Sequence, residues 1–254
     1  MDEIKQYLIT VHGVLLRGRR CIPGATDFVR RLRTKEIPFL LLTNNSQYSP
    51  RDIQAQFHAL GLDVPFGAIF TSAQATAQFL HAQQPGGRAY VIGESGLTTA
   101  LREVGYALTD YDPAYVVLGE TTTYSFERIT NAIRFINAGA RFIATNSDVI
   151  GIGEEGAVPA TGAVAAMISA ATGVKPYFVG KPNPLMIRTA LRTLNAHSED
   201  TVIIGDRLDT DISAGIASGL RTILVLTGVT TREQVEHFPY RPTWIYESLA
   251  DIAL

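Results

Sequence analysis

The sequence predicts an α/β protein, a doubly wound parallel sheet with an inserted α/β cap domain, and three observations carry the prediction. Short β-branched and aromatic runs alternate with helical patterns along most of the 254 residues. Polar residues close several of those runs, where a doubly wound sheet presents its ligand. Two turn-rich stretches, 83–88 and 173–176, offer the chain a place to leave one domain and to return.

In chain order, strands are expected at 7–11, 39–43, 68–71, 90–93, 115–119, 141–145, 177–180, 201–205 and 222–227, with helices between them. The clearest helix start is Ser49, an N-cap residue type followed by Pro50 and then Asp52 in the first turn. Ile53, Phe57 and Leu60 keep helical spacing behind it. Arg30, Arg31, Arg33 and Lys35 read as the solvated end of the first helix, where cations suit the dipole. Residues 1–84 and 179–254 are expected to form the core domain and 85–178 the inserted cap, with no internal repeat or low-complexity tract.

A hydrophobic fraction of 46% supplies a packed core. A formal net charge of −2 gives no field that would gather nucleic acid or an anionic membrane. The single cysteine, Cys21, excludes an intramolecular disulfide and fits a reducing compartment. Residues 7–16 are apolar, but Asp2 and Glu3 precede them and His12 and Gly13 interrupt them, so no targeting segment is expected. No run reaches the roughly 18 apolar residues that span a bilayer, and a cytoplasmic protein is the expectation.

Several motifs invite over-reading. Gly151, Gly153 and Gly156 satisfy G-x-G-x-x-G, yet Ala157, Val158 and Pro159 follow where a helix would have to open, which predicts a turn-rich loop. Gly180–Lys181 looks like the end of a P-loop, but Pro182 stands where Ser or Thr is required. The five histidines show no metal-ligand spacing, and no G-x-S-x-G elbow occurs.

The informative residues close four strands. They are Thr10 and His12, then Thr43, Asn44 and Asn45, then Lys181, and finally the stretch from Asp206 to Asp211. The stretches LLLTNN (40–45), FIATNSD (142–148), FVGKPNP (178–184) and AHSEDTVIIGDRLDTDI (196–212) resemble the haloacid dehalogenase superfamily, specifically its NagD-type phosphatases, over essentially the whole chain. The resemblance implies hydrolysis of phosphate monoesters through an aspartyl-phosphate, with Mg²⁺ at the strand ends and a cap over the site. It implies that Thr43, with the backbone of Asn44 and Asn45, binds phosphate oxygens, that Lys181 neutralises them, and that Asp206 and Asp211 serve Mg²⁺. In the cap, Asn146 and Asp148 correspond to a substrate-selecting loop, and the family habit of cap-mediated dimerisation makes a homo-oligomer the expected assembly.

The resemblance breaks at the first strand. The family carries Asp-x-Asp-Gly there, with a nucleophile first and an acid/base second, whereas this chain reads Thr10-Val11-His12-Gly13. A threonine hydroxyl stays protonated at neutral pH and needs a base before it can attack. Losing a catalytic nucleophile in another hydrolase class costs on the order of 10⁶ in rate, about 8 kcal/mol of barrier. Mg²⁺ also loses an anionic ligand at position 10, which predicts weaker metal binding.

Three readings remain. The leading one is a silenced member that still binds a phosphate-bearing small molecule. The second keeps catalysis, with Thr10 as nucleophile or water anchor and His12 as base, since residues i and i+2 of a strand share a face. The third is an interaction or scaffold protein with a residual pocket.

Overall fold

A computed structural model of the chain describes residues 4–153 and 156–254. Fifteen strands are described. In the first part of the chain they are β1 (Gln6–Thr10), β2 (Leu16–Arg17), β3 (Arg20–Cys21), β4 (Phe39–Thr43) and β5 (Ile69–Thr71). The middle holds β6 (Arg88–Ile92), β7 (Ala107–Leu108), β8 (Tyr115–Leu118), β9 (Arg141–Ala144), β10 (Ile150–Gly153), β11 (Gly156–Pro159) and β12 (Tyr177–Phe178). The last three are β13 (Thr201–Gly205), β14 (Arg221–Val225) and β15 (Trp244–Tyr246).

The chain divides into two compact units, each with its own parallel sheet. The first unit, residues 1–43, 50–70 and 181–254, holds a six-stranded sheet in the order β15-β14-β13-β1-β4-β5. Strands of such a sheet are covered on both faces, which is why β4 (FLLLT) and β13 (TVIIG) are continuous apolar runs with every residue buried. The covering helices include α1 (Ala25–Thr34) and α2 (Pro50–Ala59). Phe28 and Leu32 of α1 and Phe57 of α2 pack into one core with Leu41, Ile204 and Val225. The helix expected to begin at Pro50 does so, and Ile53 and Phe57 are its buried positions.

Register decides what meets at the sheet edge. On one side of β1, Ile9 pairs with Ile204, and on the other Thr10 pairs with Leu42. Thr10, Thr43 and the Gly205–Asp206 step therefore finish at the same level. From β1 the chain goes to β4 on one side, while β13 flanks the other. The order of winding reverses at β1, the position where open α/β sheets bind ligands.

The second unit, residues 44–49 and 71–180, holds a five-stranded parallel sheet in the order β12-β9-β8-β6-β7. Its helices are α3 (Ser72–Gln83), α4 (Ser95–Glu103), α5 (Phe126–Asn137) and α6 (Thr161–Thr172), and Val116, Ile136, Phe142 and Ile168 centre its core. The unit is wider than the expected 85–178. Helix α3 packs against α4, and a reciprocal cap between Thr71 and Gln74 starts α3 already inside the unit. Residues 44–49 join it as well, for reasons given below.

Two further differences follow from local pairing. The glycine-rich stretch read as a loop contains β10 and β11, an antiparallel pair in which Ile150 faces Pro159 and Gly153 faces Gly156. Strand β1 ends at Thr10, one residue early. His12 lies beyond it, bridged to Leu16 in a turn where Leu15 and Leu16 both donate to the Val11 carbonyl. The strand's pleat therefore does not assign His12 to the side of Thr10. Helices α7 (Pro184–Leu194), α8 (Ser213–Ala217) and α9 (Arg232–His237) complete the first unit. Among the described residues no helix is long and apolar enough to cross a membrane.

Candidate active site

The strand ends of the first unit gather a buried ionic cluster. Lys181 follows the Gly180 turn, joined to Pro182 by a cis peptide bond, with Asn183 capping α7 just after it. Its ammonium donates to Asp211 Oδ1 at 2.7 Å, and both side chains are nearly excluded from water, 8% and 2% exposed. Asp211 sits in a π-type turn, Leu208–Ile212, that leads into α8. That turn points the carboxylate back at the strand end, where its Oδ2 accepts from the Asp206 and Arg207 amides at 3.1 Å each. Two backbone bonds and a lysine hold this carboxylate in one orientation.

Asp206 occupies the first position after β13. Its Oδ2 accepts from the Val229 amide at 2.9 Å, and Thr230 donates to its carbonyl. Burial, reinforced by the nearby Asp211 charge, pushes its pKa up to about 6. The loop after β1 closes over it. Gly13 adopts φ +77°, and a Cβ at that position would collide with the Asp206 carboxyl, so only glycine fits. Thr227 ties the loop down by donating to the Gly13 carbonyl at 2.6 Å.

Thr10 and Thr43 are buried at this edge, 2% and 4% exposed. The Thr10 hydroxyl lies 3.5 Å from Asp211 Oδ2, beyond the usual 2.5–3.0 Å for an O–H···O bond, and that oxygen already serves two amides. His12 is exposed, and its pKa is pushed down, first by loss of hydration among the surrounding protein atoms and then by the Lys181 charge. The imidazole is therefore neutral at pH 7 and able to accept a proton.

The cluster's charge differs from what the sequence suggests. Lys181 is matched by Asp211, which leaves Asp206 as the unbalanced group and makes the edge no simple receptor for anions. Magnesium prefers oxygen ligands and takes one or two carboxylates, completing its shell with substrate phosphate and water. Asp206 fits that role, because a nearby dication would offset the lost hydration and the Asp211 repulsion that together raise its pKa. Asp211, with both oxygens engaged, fits an outer position. Among the described residues no three acidic, histidine or cysteine side chains converge as a preformed metal cage.

The other expected residues form a cluster within the second unit. Asn44 donates to Asp148 Oδ2 at 3.0 Å, and Asn146 donates to the Asn44 carbonyl at 2.9 Å. Asn146 is wholly buried, and its Oδ1 accepts from the Asp148 amide. Asn45 Oδ1 accepts from the amides of Gln47 and Tyr48. Sequence reasoning missed Glu120 here. It follows Gly119 at the end of β8, the same strand-glycine-acid pattern that singled out Asp206.

Two family models match the chain. A model described as haloacid dehalogenase-like hydrolase matches residues 7–107, and a HAD-hydrolase-like model matches residues 178–252. Dihydroxyacetone phosphatase of Corynebacterium glutamicum (strain R) is 53% identical over 97% of this chain and 90% of its own. Ribonucleotide monophosphatase NagD of Escherichia coli (strain K12) is 45% identical over 98% of both. The chain belongs to the haloacid dehalogenase-like hydrolases, in the NagD-type phosphatase family.

Solved structures of this family superpose closely. NagD from E. coli K-12 matches with TM-score 0.94 and 44% identity over 98% of each chain. A thermostable NPPase double mutant from Geobacillus stearothermophilus matches with TM-score 0.94 and 37% identity, covering 100% of this chain and 99% of its own. The α/β fold with parallel sheets read from the sequence is thus the family's own fold.

Proposed function

We propose that the chain hydrolyses small phosphate monoesters at the carboxyl edge of the six-stranded sheet, with Thr10 and His12 in the places where the family carries its acid pair. The observation that carries this reading is the buried Lys181–Asp211 pair with Asp206 beside it, in a chain whose relatives along its full length bear phosphatase names. The 53% identical relative is a dihydroxyacetone phosphatase, which makes a short-chain phosphate ester the first substrate to try.

In this mechanism Thr43 and the amides after it orient the phosphate, and Lys181, held by Asp211, offsets its charge. A bound Mg²⁺, held by Asp206, would supply charge neutralisation for the phosphoryl oxygens. Thr10 holds a water in place of attacking, because Asp211 has no oxygen to spare as its base. The water oxygen forms the new P–O bond as the ester P–O bond breaks. Its proton passes to the neutral His12 imidazole, and the leaving alkoxide takes up a proton from solvent. Without a covalent intermediate, turnover is slow by the family's standard.

A silenced receptor for phosphate esters is the second reading. The looseness of Thr10 favours it, since a hydroxyl 3.5 Å from an occupied carboxylate oxygen is not an activated nucleophile. Phosphate release from dihydroxyacetone phosphate, sugar phosphates and nucleotides, measured with Mg²⁺, separates the two. Turnover that disappears in Thr10→Ala and His12→Ala supports the hydrolase. No release from any ester, with calorimetric binding of inorganic phosphate retained, supports the receptor. Undetectable phosphate binding with and without Mg²⁺ rejects both.

A further inference from the structure

The segment after Thr43 groups with the second unit, although the strand that precedes it belongs to the first. Residues 44–49 belong to the second unit, and an unusual density of bonds holds them there. The Ser46 amide donates to Glu120 Oε2 at 2.9 Å, and the Glu120 amide donates back to Ser46 Oγ at 2.9 Å. Thr145 donates to the same Oγ at 3.0 Å, and Ser46 is fully buried. The Asn44 carbonyl accepts from Asn146 Nδ2 and from Ser72 Oγ, at 2.9 and 2.5 Å. Gly96 donates to the Gln47 carbonyl, and a Cβ on Gly96 would run into the carbonyls of Ser46 and Tyr48. The starts of α3 and α4 and the ends of β8 and β9 all converge on four residues of backbone.

A carboxylate is a costly way to satisfy the Ser46 amide and the Asn146 side chain, because burying it sacrifices more hydration than a neutral acceptor loses. It gives in return a charge-assisted bond, and the reciprocal Ser46–Glu120 pair fixes both chains at once. We propose that Glu120 and Ser46 are positioning residues: a clasp in the second unit that sets the backbone of residues 44–46, the continuation of the phosphate-binding strand end at Thr43. The inference rests on the phosphate-ester reading for its purpose and on the bonds above for its existence. Glu120 touches no reacting atom in this scheme. Its effect reaches the ligand only through the backbone that it holds.

Hydrogen exchange followed on peptides spanning 40–50, together with calorimetry of inorganic phosphate in Mg²⁺, tests the clasp in the full-length chain. In Glu120→Ala the amides of 44–47 should exchange at least about tenfold faster, with 201–205 unchanged, and phosphate affinity should fall about tenfold. Glu120→Gln keeps an acceptor oxygen and should restore both. Unchanged protection in Glu120→Ala overturns the clasp, and faster exchange with unchanged phosphate affinity overturns its positioning role. Should Glu120→Ala fail to fold, Ser46→Ala, which removes only the hydroxyl, carries the same reading. If the unsubstituted chain binds no phosphate, the functional reading falls, while exchange alone still decides whether the clasp exists.

Discussion

Asp206 and Glu120 are built by one local device and put to different ends. Each follows a glycine at the carboxyl end of a buried parallel strand, each accepts a backbone amide at 2.9 Å, and burial is the first cause raising each pKa, to about 6 and about 7. They differ in company. Asp206 has Lys181 and a second carboxylate, Asp211, beside it, whereas Glu120 faces the amide of Asn146, the Ser46 backbone and the Asp148 carboxylate. In the proposed function, a strand-end acid serves phosphate chemistry where a buried cation shares its site. With backbone and amide donors and a second carboxylate for neighbours, Glu120 serves as a brace in the proposed clasp.

The sharpest way to test that contrast is to supply what the first cluster lacks. Thr10→Asp combined with His12→Asp places an acid pair on the one region that holds a cation. Phosphate release from dihydroxyacetone phosphate with Mg²⁺ should rise by several orders of magnitude, with about 10⁶, or 8 kcal/mol of barrier, as the ceiling. Steady-state kinetics give the answer. A folded, Mg²⁺-binding double variant no faster than its parent would mean that the strand edge is not the reactive region.

A smaller effect separates the clusters by stability. Lys181→Ala leaves Asp211 charged and buried without its counter-ion, which should cost about 3–5 kcal/mol in urea unfolding. Lys181→Met with Asp211→Leu removes both charges and should recover much of that loss. Some deficit will remain, because Asp211 also accepts the Asp206 and Arg207 amides. A Lys181→Ala protein as stable as its parent would show that the pair is not electrostatically essential to the fold.

The sheet was largely legible in the sequence because parallel strands covered on both faces must be apolar throughout, as β4 and β13 are. Polar residues at the ends of such runs stand out, which is how Thr10, Thr43, Lys181, Asp206 and Asp211 were found. What they do to one another was not legible. The Lys181–Asp211 pairing, which offsets part of the charge expected to attract phosphate, depends on a π-type turn that no residue pattern announces. The β10–β11 pairing was hidden by its glycines, and the membership of residues 44–49 by its dependence on partners as remote as Thr145. Glu120 carried the signal that Asp206 did, a glycine-acid step after an apolar strand, but no familiar motif drew attention to it.

The smallest effect concerns pH and isolates Glu120. Its pKa stands at about 7 against an ordinary 4.5, raised first by burial and further by Asp148, and opposed by the bonds from Ser46 and Asn146. Among the described residues Tyr124, whose own pKa is raised in part by Glu120 and Glu94, is a further titratable group in electrostatic contact. An acid whose pKa is higher in the folded state binds its proton more tightly there. Its contribution to stability is complete below about pH 4.5 and is lost as pH rises through 7. Glutamine mimics the protonated form at every pH. Glu120→Gln should therefore match its parent near pH 4 and exceed it by on the order of 2–3 kcal/mol at pH 8, as read from denaturant midpoints. Equal stability of the two proteins across that range would mean that Glu120 titrates normally, and that the likeness to Asp206 ends at geometry.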